Sequence, residues 1–314
     1  MGRMHGSVYQ TVEGATLVAC HDRKPDKAAE YAGRFGCEAC PSIEDLIERC
    51  DIVDVCLPTD LHCPVTVGAL QAGRHVLCEK PMALSLEEAD RMVESARASG
   101  KYLMIGHCIR FWPEYAHLRD LVAGGRLGRL LSLNLTRYGE FPSWSADGWL
   151  ADESRAGGGV LDMHIHDTDY AHWLLGEPDE VRSWGTVDER GASHAFTTMR
   201  FGRTVVHLEG GWNLPPGTPF KMAFRAVFEQ GAAIMDGGPM TVYEAGKDPL
   251  TPQFPTMRAE GGGNLSDLGG YYHEIAYFLD CVRDGTPPET VTPESSRRSL
   301  ATVLEEIRQI KAGR

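Results

Sequence analysis

The chain has 314 residues, of which 42% are hydrophobic and 24% charged, a balance that suits a folded protein with two sizeable cores and argues against extended disorder. Acidic residues outnumber basic ones 44 to 31, for a formal net charge of −13, so neither nucleic acid nor an anionic membrane is an expected partner. No run of roughly 18 apolar residues and no early signal-like segment occurs. The nine cysteines, eight of them ahead of residue 109, do not resemble a secreted disulfide framework, and reduced thiols in a cytoplasm fit better.

Strand and helix signals alternate at short intervals over the first hundred residues. Thr16 to Cys20 reads as a strand closed by His21 and Asp22, and Ala28, Ala29, Ala32 and Phe35 recur at helical spacing. Cys37 and Cys40 form a CxxC with no second pair at zinc-site spacing. Ser42 and Asp45 open a helix, Ile52 to Leu57 is a second strand, and His62 to Ala72 is a helix that Gly73 ends. Strand His75 to Cys78 leads into Glu79-Lys80-Pro81; Ser85 with Glu88 forms a capping box, Gly100 closes that helix, and strand Lys101 to Ile105 comes next. This alternation predicts an α/β domain with a doubly wound parallel sheet over residues 1–107.

Beyond it, Pro113 to Val122 reads as a helix. Leu130 to Tyr138, Glu180 to Val187, His194 to Phe201 and Thr204 to Trp212 read as longer alternating strands. A second, α+β domain with a large, open, mostly antiparallel sheet is expected over 108–314. It has loops at 213–219 and 246–268 and closing helices at Gly270 to Arg283 and Pro293 to Lys311.

Two motifs carry chemistry. Lys80 leaves the carboxyl end of a parallel strand, where open α/β sheets bind ligands. Further on, Gly157-Gly158-Gly159 runs into Asp162 and His166, which are four apart and would share one helical face, with Asp169 and Tyr170 on its next turn. An acid beside an imidazole can transfer protons. Asp22, at the end of a strand, can accept hydrogen bonds from a ribose and favours NAD, whereas Arg23 and Lys24 could hold the extra phosphate of NADP.

With these motifs in order, the chain resembles the Gfo/Idh/MocA oxidoreductases, the group of glucose-fructose oxidoreductase and inositol dehydrogenase. The likeness rests on Glu79-Lys80-Pro81, Gly158-Gly159 with Asp162 and His166, Asp169, Leu57-Pro58-Thr59-Asp60-Leu61-His62, and the stretch from Tyr272-His273-Glu274 to Lys311. It departs from that family at its start: Met1-Gly2-Arg3-Met4-His5 reads like the tail of the glycine-rich dinucleotide fingerprint, with Gly2 as its third glycine. A start site placed too far downstream is expected in preference to a real truncation; without the first strand, two strand edges would be exposed.

The resemblance implies hydride transfer between NAD(P) and a hydroxyl-bearing carbon of a sugar, cyclitol or related polyol. His166 would be the base, Asp162 would orient it, and Lys80 would stabilise alkoxide character. Gly2, Arg3, Met4, Asp22, Arg23, Leu57, Pro58, Thr59, His62, Glu79 and Lys80 would contact the cofactor. His107, Arg110, Trp144, Trp149 and Arg155, with Asp162 and His166, would contact substrate, and about two of the aromatics Tyr138, Phe141, Trp144 and Trp149 should do so. A homodimer or homotetramer through the second domain's sheet is implied. Other classes stay open: an impaired cofactor-binding or regulatory homologue, an NAD-dependent glycosidase, and a metal-dependent hydrolase using Asp162, His166 and Asp169.

Overall fold

The computed structural model describes residues 1–143, 145–255 and 268–313. Trp144 and most of the expected loop 246–268 lie outside the described residues. The chain divides into two compact units, one of Met1–Ala83, Glu87–Trp112 and Pro255–Glu294, the other of Leu84–Leu86, Pro113–Phe254 and Ser295–Arg314.

The first unit opens with α1 (Gly2–Tyr9), β1 (Ala19–Cys20), α2 (Pro25–Phe35), β2 (Glu38–Ala39) and α3 (Ile43–Arg49). It continues with β3 (Ile52–Val55), α4 (His62–Gln71), β4 (His75–Glu79), α5 (Leu86–Ser99) and β5 (Leu103–Gly106). Local signals set several boundaries. Pro25 stands in the first turn of α2, where its missing N–H costs nothing, and the Ser42 hydroxyl accepts from the Asp45 N–H at 3.1 Å to cap α3. Among the described residues, all strand pairings in this unit are parallel. Val76, Leu77, Cys78, Leu103, Met104 and Ile105 are buried in succession, as strands covered on both faces require. The sheet is in two pieces, β1-β2 and β3-β4-β5, and β3 is not hydrogen-bonded to β1.

The second unit contains α6 (Pro113–Gly124), β6 (Leu130–Glu140), α7 (Glu153–Ala156), α8 (Ile165–Leu175), β7 (Glu180–Asp188), β8 (Gly191–Phe201) and β9 (Thr204–Leu214). Three further strands complete it, β10 (Lys221–Phe228), β11 (Gly231–Asp236) and β12 (Thr241–Glu244). They form one seven-stranded sheet in the order β12-β11-β10-β6-β9-β8-β7, antiparallel except for the β6-β9 pair. The strands β10 to β12 escaped the sequence reading because Ala223, Ala226, Gly231, Ala232 and Ala233 carry little strand propensity. They are strands because β6 offers β10 an edge, to which β11 and then β12 add.

Two helices close the chain, α9 (Gly269–Asp284) and α10 (Pro293–Ala312). α9 belongs to the first unit, so a division into 1–107 and 108–314 differs from the observed one: the chain returns to the first unit after completing the large sheet. Packing explains the return. A Cβ on Gly270 would lie 2.2 Å from the Trp112 ring, so only glycine lets α9 approach so closely, and Tyr271 meets the same ring edge-on with centroids 5.9 Å apart.

Candidate active site

In the first unit the groups expected to hold a dinucleotide lie at strand ends and at the start of α1. That helix begins at Gly2 with no side-chain cap and no acidic residue in its first turn, which leaves its leading N–H groups to an anion. The close-packing glycine of this segment is Gly6: a Cβ there would fall 2.6 Å from the Tyr31 hydroxyl and 2.8 Å from the Phe35 ring. Arg3 is exposed and pairs with Glu30 at 2.7 Å, while Met4 is buried. Asp22 comes after β1 in an exposed turn, where its Oδ1 accepts from the Lys24 N–H at 2.8 Å, leaving the second carboxylate oxygen for a ribose hydroxyl; Arg23 is exposed beside it. The donor chemistry fits NAD.

Leu57, Pro58 and Thr59 form the turn after β3, and Lys80 stands half-buried just past β4, with its N–H donated to Glu79 Oε2 at 3.1 Å. His62 ties these two turns together. Its Nδ1 lies 2.8 Å from the Pro81 carbonyl and its Nε2 2.9 Å from the Leu57 carbonyl, so the ring spans the turn after β3 and the residue that follows Lys80. The Lys80–Pro81 peptide is cis. His107 is buried in the turn after β5, and Arg110, also buried, donates to the Thr290 carbonyl at 2.7 Å within the same unit.

Sequence reasoning missed a buried polar cluster in this unit. His5 places Nδ1 2.8 Å from Asp54 Oδ2 and Nε2 3.0 Å from Glu79 Oε1. The Tyr9 hydroxyl donates to the same Asp54 oxygen at 2.9 Å, and Cys56 Sγ lies 3.4 Å from His5 Nδ1. Burial opposes charge on Glu79, but the hydrogen bond and charge of His5 outweigh it and hold the carboxyl below its usual range. A carboxylate at mid-strand position 54, in an otherwise apolar run, was the available signal.

In the second unit the glycine run serves close approach. Gly158 has φ 84°, and a Cβ there would meet the Ala192 carbonyl at 2.8 Å; on Gly159 it would meet the Trp212 indole nitrogen at 2.6 Å. The chain therefore enters the next helix pressed against β8 and β9. Val160–His164 forms a π turn, with the Ile165 N–H reaching back to the Val160 carbonyl, before α8 continues. Such turns frequently mark functional sites.

This geometry corrects the expected face. Asp162 and His166 are half-buried, whereas α8 is enclosed from Asp167 to Ala171, so Asp169 and Tyr170, one turn beyond His166, are buried in the core. Asp169 accepts from the Ser299 hydroxyl at 2.8 Å and Tyr170 donates to the Tyr115 carbonyl at 2.8 Å. The metal-hydrolase reading of Asp162, His166 and Asp169 falls with it. Among the described residues the His, Cys and carboxylate groups gathered within ligand distance are His5, Asp54 and Cys56.

Beneath the π turn lies a buried network. Arg137 on β6 donates to both Asp167 oxygens, at 2.8 and 3.2 Å, and to the Tyr115 hydroxyl at 3.3 Å. Burial pushes the Tyr115 phenol up, so it stays neutral. From α10, Glu306 accepts from Thr168 at 3.2 Å and lies 3.3 Å from His164 Nε2, and Thr302 meets His172 at 2.8 Å. Helix α8 is thus fixed to both a strand and a second helix. Of the expected substrate contacts, Arg155 is half-buried on α7. Trp149 and Phe141 pack on the Leu150, Ala156 and Trp212 cluster, and Trp144 lies outside the described residues.

Comparison with known proteins identifies the family. Residues 1–107 match the model of the oxidoreductase family with an NAD-binding Rossmann fold, and 115–234 match the Gfo/Idh/MocA C-terminal domain. The chain is 34% identical over 311 residues to UDP-N-acetylglucosamine 3-dehydrogenase of Acidithiobacillus ferrooxidans, covering 97% of this chain and 92% of that protein. A solved structure of that enzyme superposes with TM-score 0.81 at 27% identity, over 99% of this chain and 94% of the other. A 1,5-anhydro-D-fructose reductase of Ensifer adhaerens is 34% identical over 168 residues, 52% of this chain and only 50% of that relative, so this chain matches about half its length. The chain belongs to the Gfo/Idh/MocA family of NAD-binding oxidoreductases.

Proposed function

We propose that the protein moves a hydride between NAD and a hydroxyl-bearing carbon of a sugar, sugar nucleotide or cyclitol. The observation that carries this reading is the half-buried Asp162 and His166, one on the π turn and one at the start of α8, braced from below, in a chain whose other unit presents Lys80 at the end of a parallel strand. Bound NAD supplies the hydride acceptor. His166 takes the hydroxyl proton, Asp162 orients the imidazole and hydrogen-bonds substrate, and Lys80 stabilises the developing alkoxide. The names of the relatives support the substrate class: UDP-N-acetylglucosamine 3-dehydrogenase over nearly the whole chain, and D-glucoside 3-dehydrogenase and inositol dehydrogenases over part of it. Asp22 favours NAD, with NADP the alternative through Arg23 and Lys24.

A homo-oligomer through the large sheet belongs to the same proposal. Trp184 on β7 and Phe196 on β8 stand directly opposite each other and are 62% and 51% exposed, and the register places Val205 and Tyr243 on the same face. A surface of this kind commonly serves association. The working compartment proposed is the cytoplasm.

The test is NADH formation with a panel of UDP-sugars, hexoses and inositols. Lys80→Ala and His166→Ala should each slow the chemical step by about 10²–10⁴ while NAD affinity stays within a fewfold. Full activity in both variants would refute these roles, and tight NAD binding without turnover on any member would favour the regulatory homologue.

A further inference from the structure

The cluster around His5 has no part in the proposed chemistry, yet its geometry is that of a metal site. Three different donors converge: His5 Nδ1, Asp54 and Cys56 Sγ, with all ligand atoms within 4.8 Å of one another. The separations suit a small tetrahedral ion. Zinc–ligand lengths of about 2.0–2.3 Å imply ligand–ligand edges of roughly 3.3–3.6 Å. Cys56 Sγ lies 3.4 Å from His5 Nδ1 and 3.5 Å from Asp54 Oδ1, so only the 2.8 Å contact between Nδ1 and Asp54 Oδ2 must open.

The surroundings supply what metal-bound ligands need. His5 Nε2 is engaged by Glu79 Oε1 at 3.0 Å, the carboxylate–histidine contact that holds a metal-bound ring, and an ion would take the place of the proton that Nδ1 shares with Asp54 Oδ2. The Tyr9 hydroxyl orients Asp54 in the same way. His5 is buried but Asp54 is 17% exposed and Cys56 half-buried, which leaves a way in and a fourth position for water.

We infer that His5, Asp54 and Cys56 form a binding site for one divalent transition ion of the zinc class, held by a nitrogen, an oxygen and a thiolate. Such an ion would fasten α1 to β3 and, through Glu79, to β4. Binding would release two protons to solvent, one from Cys56 Sγ and one from His5 Nδ1, which faces the Asp54 carboxylate without the ion.

Cobalt(II) is the probe. Chelator-treated full chain titrated with Co²⁺ should develop thiolate-to-cobalt charge-transfer absorption that saturates at one equivalent and is displaced by Zn²⁺. Cys56→Ser should abolish that band, and His5→Gln should weaken uptake at least tenfold. Cys37→Ser with Cys40→Ser should leave both unchanged. Zn²⁺ should also raise the unfolding temperature of the parent but not of Cys56→Ser. If His5→Gln fails to fold, Cys56→Ser, a near-isosteric change, still decides. Absence of the band, its survival in Cys56→Ser, or its loss with the CxxC pair would each overturn the site.

Discussion

Arg137→Met should be among the most damaging single changes in the second unit. The Arg137 and Asp167 side chains are 4% and 0% exposed, and the guanidinium donates to both carboxylate oxygens. Methionine refills much of the volume, so the cavity contribution is small. What remains is a carboxylate in the core without its two charged donors, a situation that costs about 3–5 kcal/mol. The pair itself is worth far less, since well-packed apolar residues can replace a buried ion pair at little net cost. Adding Asp167→Leu to Arg137→Met should therefore recover at least about 2 kcal/mol, giving strong coupling between neighbours. Urea unfolding followed by circular dichroism and tryptophan fluorescence measures both variants. A loss below about 1 kcal/mol for Arg137→Met, or a double variant whose losses simply add, would refute the reasoning. Because Asp167 is the neighbour of His166 on α8, kcat should fall in the single variant as well.

Asp22→Ser should shift cofactor preference toward NADP, because a serine relieves repulsion of the 2′-phosphate; an unchanged ratio of affinities by calorimetry would detach Asp22 from the ribose. Gly158→Ala combines a positive φ with a Cβ 2.8 Å from a carbonyl oxygen, and should destabilise by about 1–3 kcal/mol on chemical unfolding. His172 supplies a pH test: burial lowers its pKa, outweighing Glu177 and Asp169. The unfolded chain then takes up the proton first, so stability is highest above the ordinary value of 6.5 and falls as pH drops through it toward the folded-state pKa. Denaturant midpoints from pH 7.5 to 5.5 should fall less steeply in His172→Gln than in the parent.

The elements that carried their own local code were legible in the sequence. Ser42 with Asp45, the apolar runs of β3, β4 and β5, and the alternation in β6 and β9 each depend on residues within a few positions of one another. β10 to β12 depend instead on pairing partners, and Gly231-Ala232-Ala233 gives no hint of it. The same distinction runs through the site. Asp162 and His166 were readable because they are four apart behind a glycine run, whereas the π turn between them has no simple periodic signature, and the burial of Asp169 and Tyr170 depends on distant partners such as Ser299 and Tyr115. Long-range partners were hidden for the same reason: Glu306 reaches His164 from α10, and His5 meets Asp54 and Glu79 from strands 49 and 74 residues away. His62 was expected at the cofactor, and its ring lies between the Leu57 and Pro81 carbonyls, a placement that spacing along the chain does not announce.

Isotope transfer tests the central claim most directly. A sugar or inositol that supports turnover, carrying deuterium on the carbon that bears the reacting hydroxyl, is incubated with the protein and NAD, and the nicotinamide is examined by proton NMR. Direct hydride transfer predicts one deuterium at C4 of the reduced ring, on a single face, with turnover lost in His166→Ala. Reduced nicotinamide without deuterium at C4, or product formed at an undiminished rate in His166→Ala, would contradict the account.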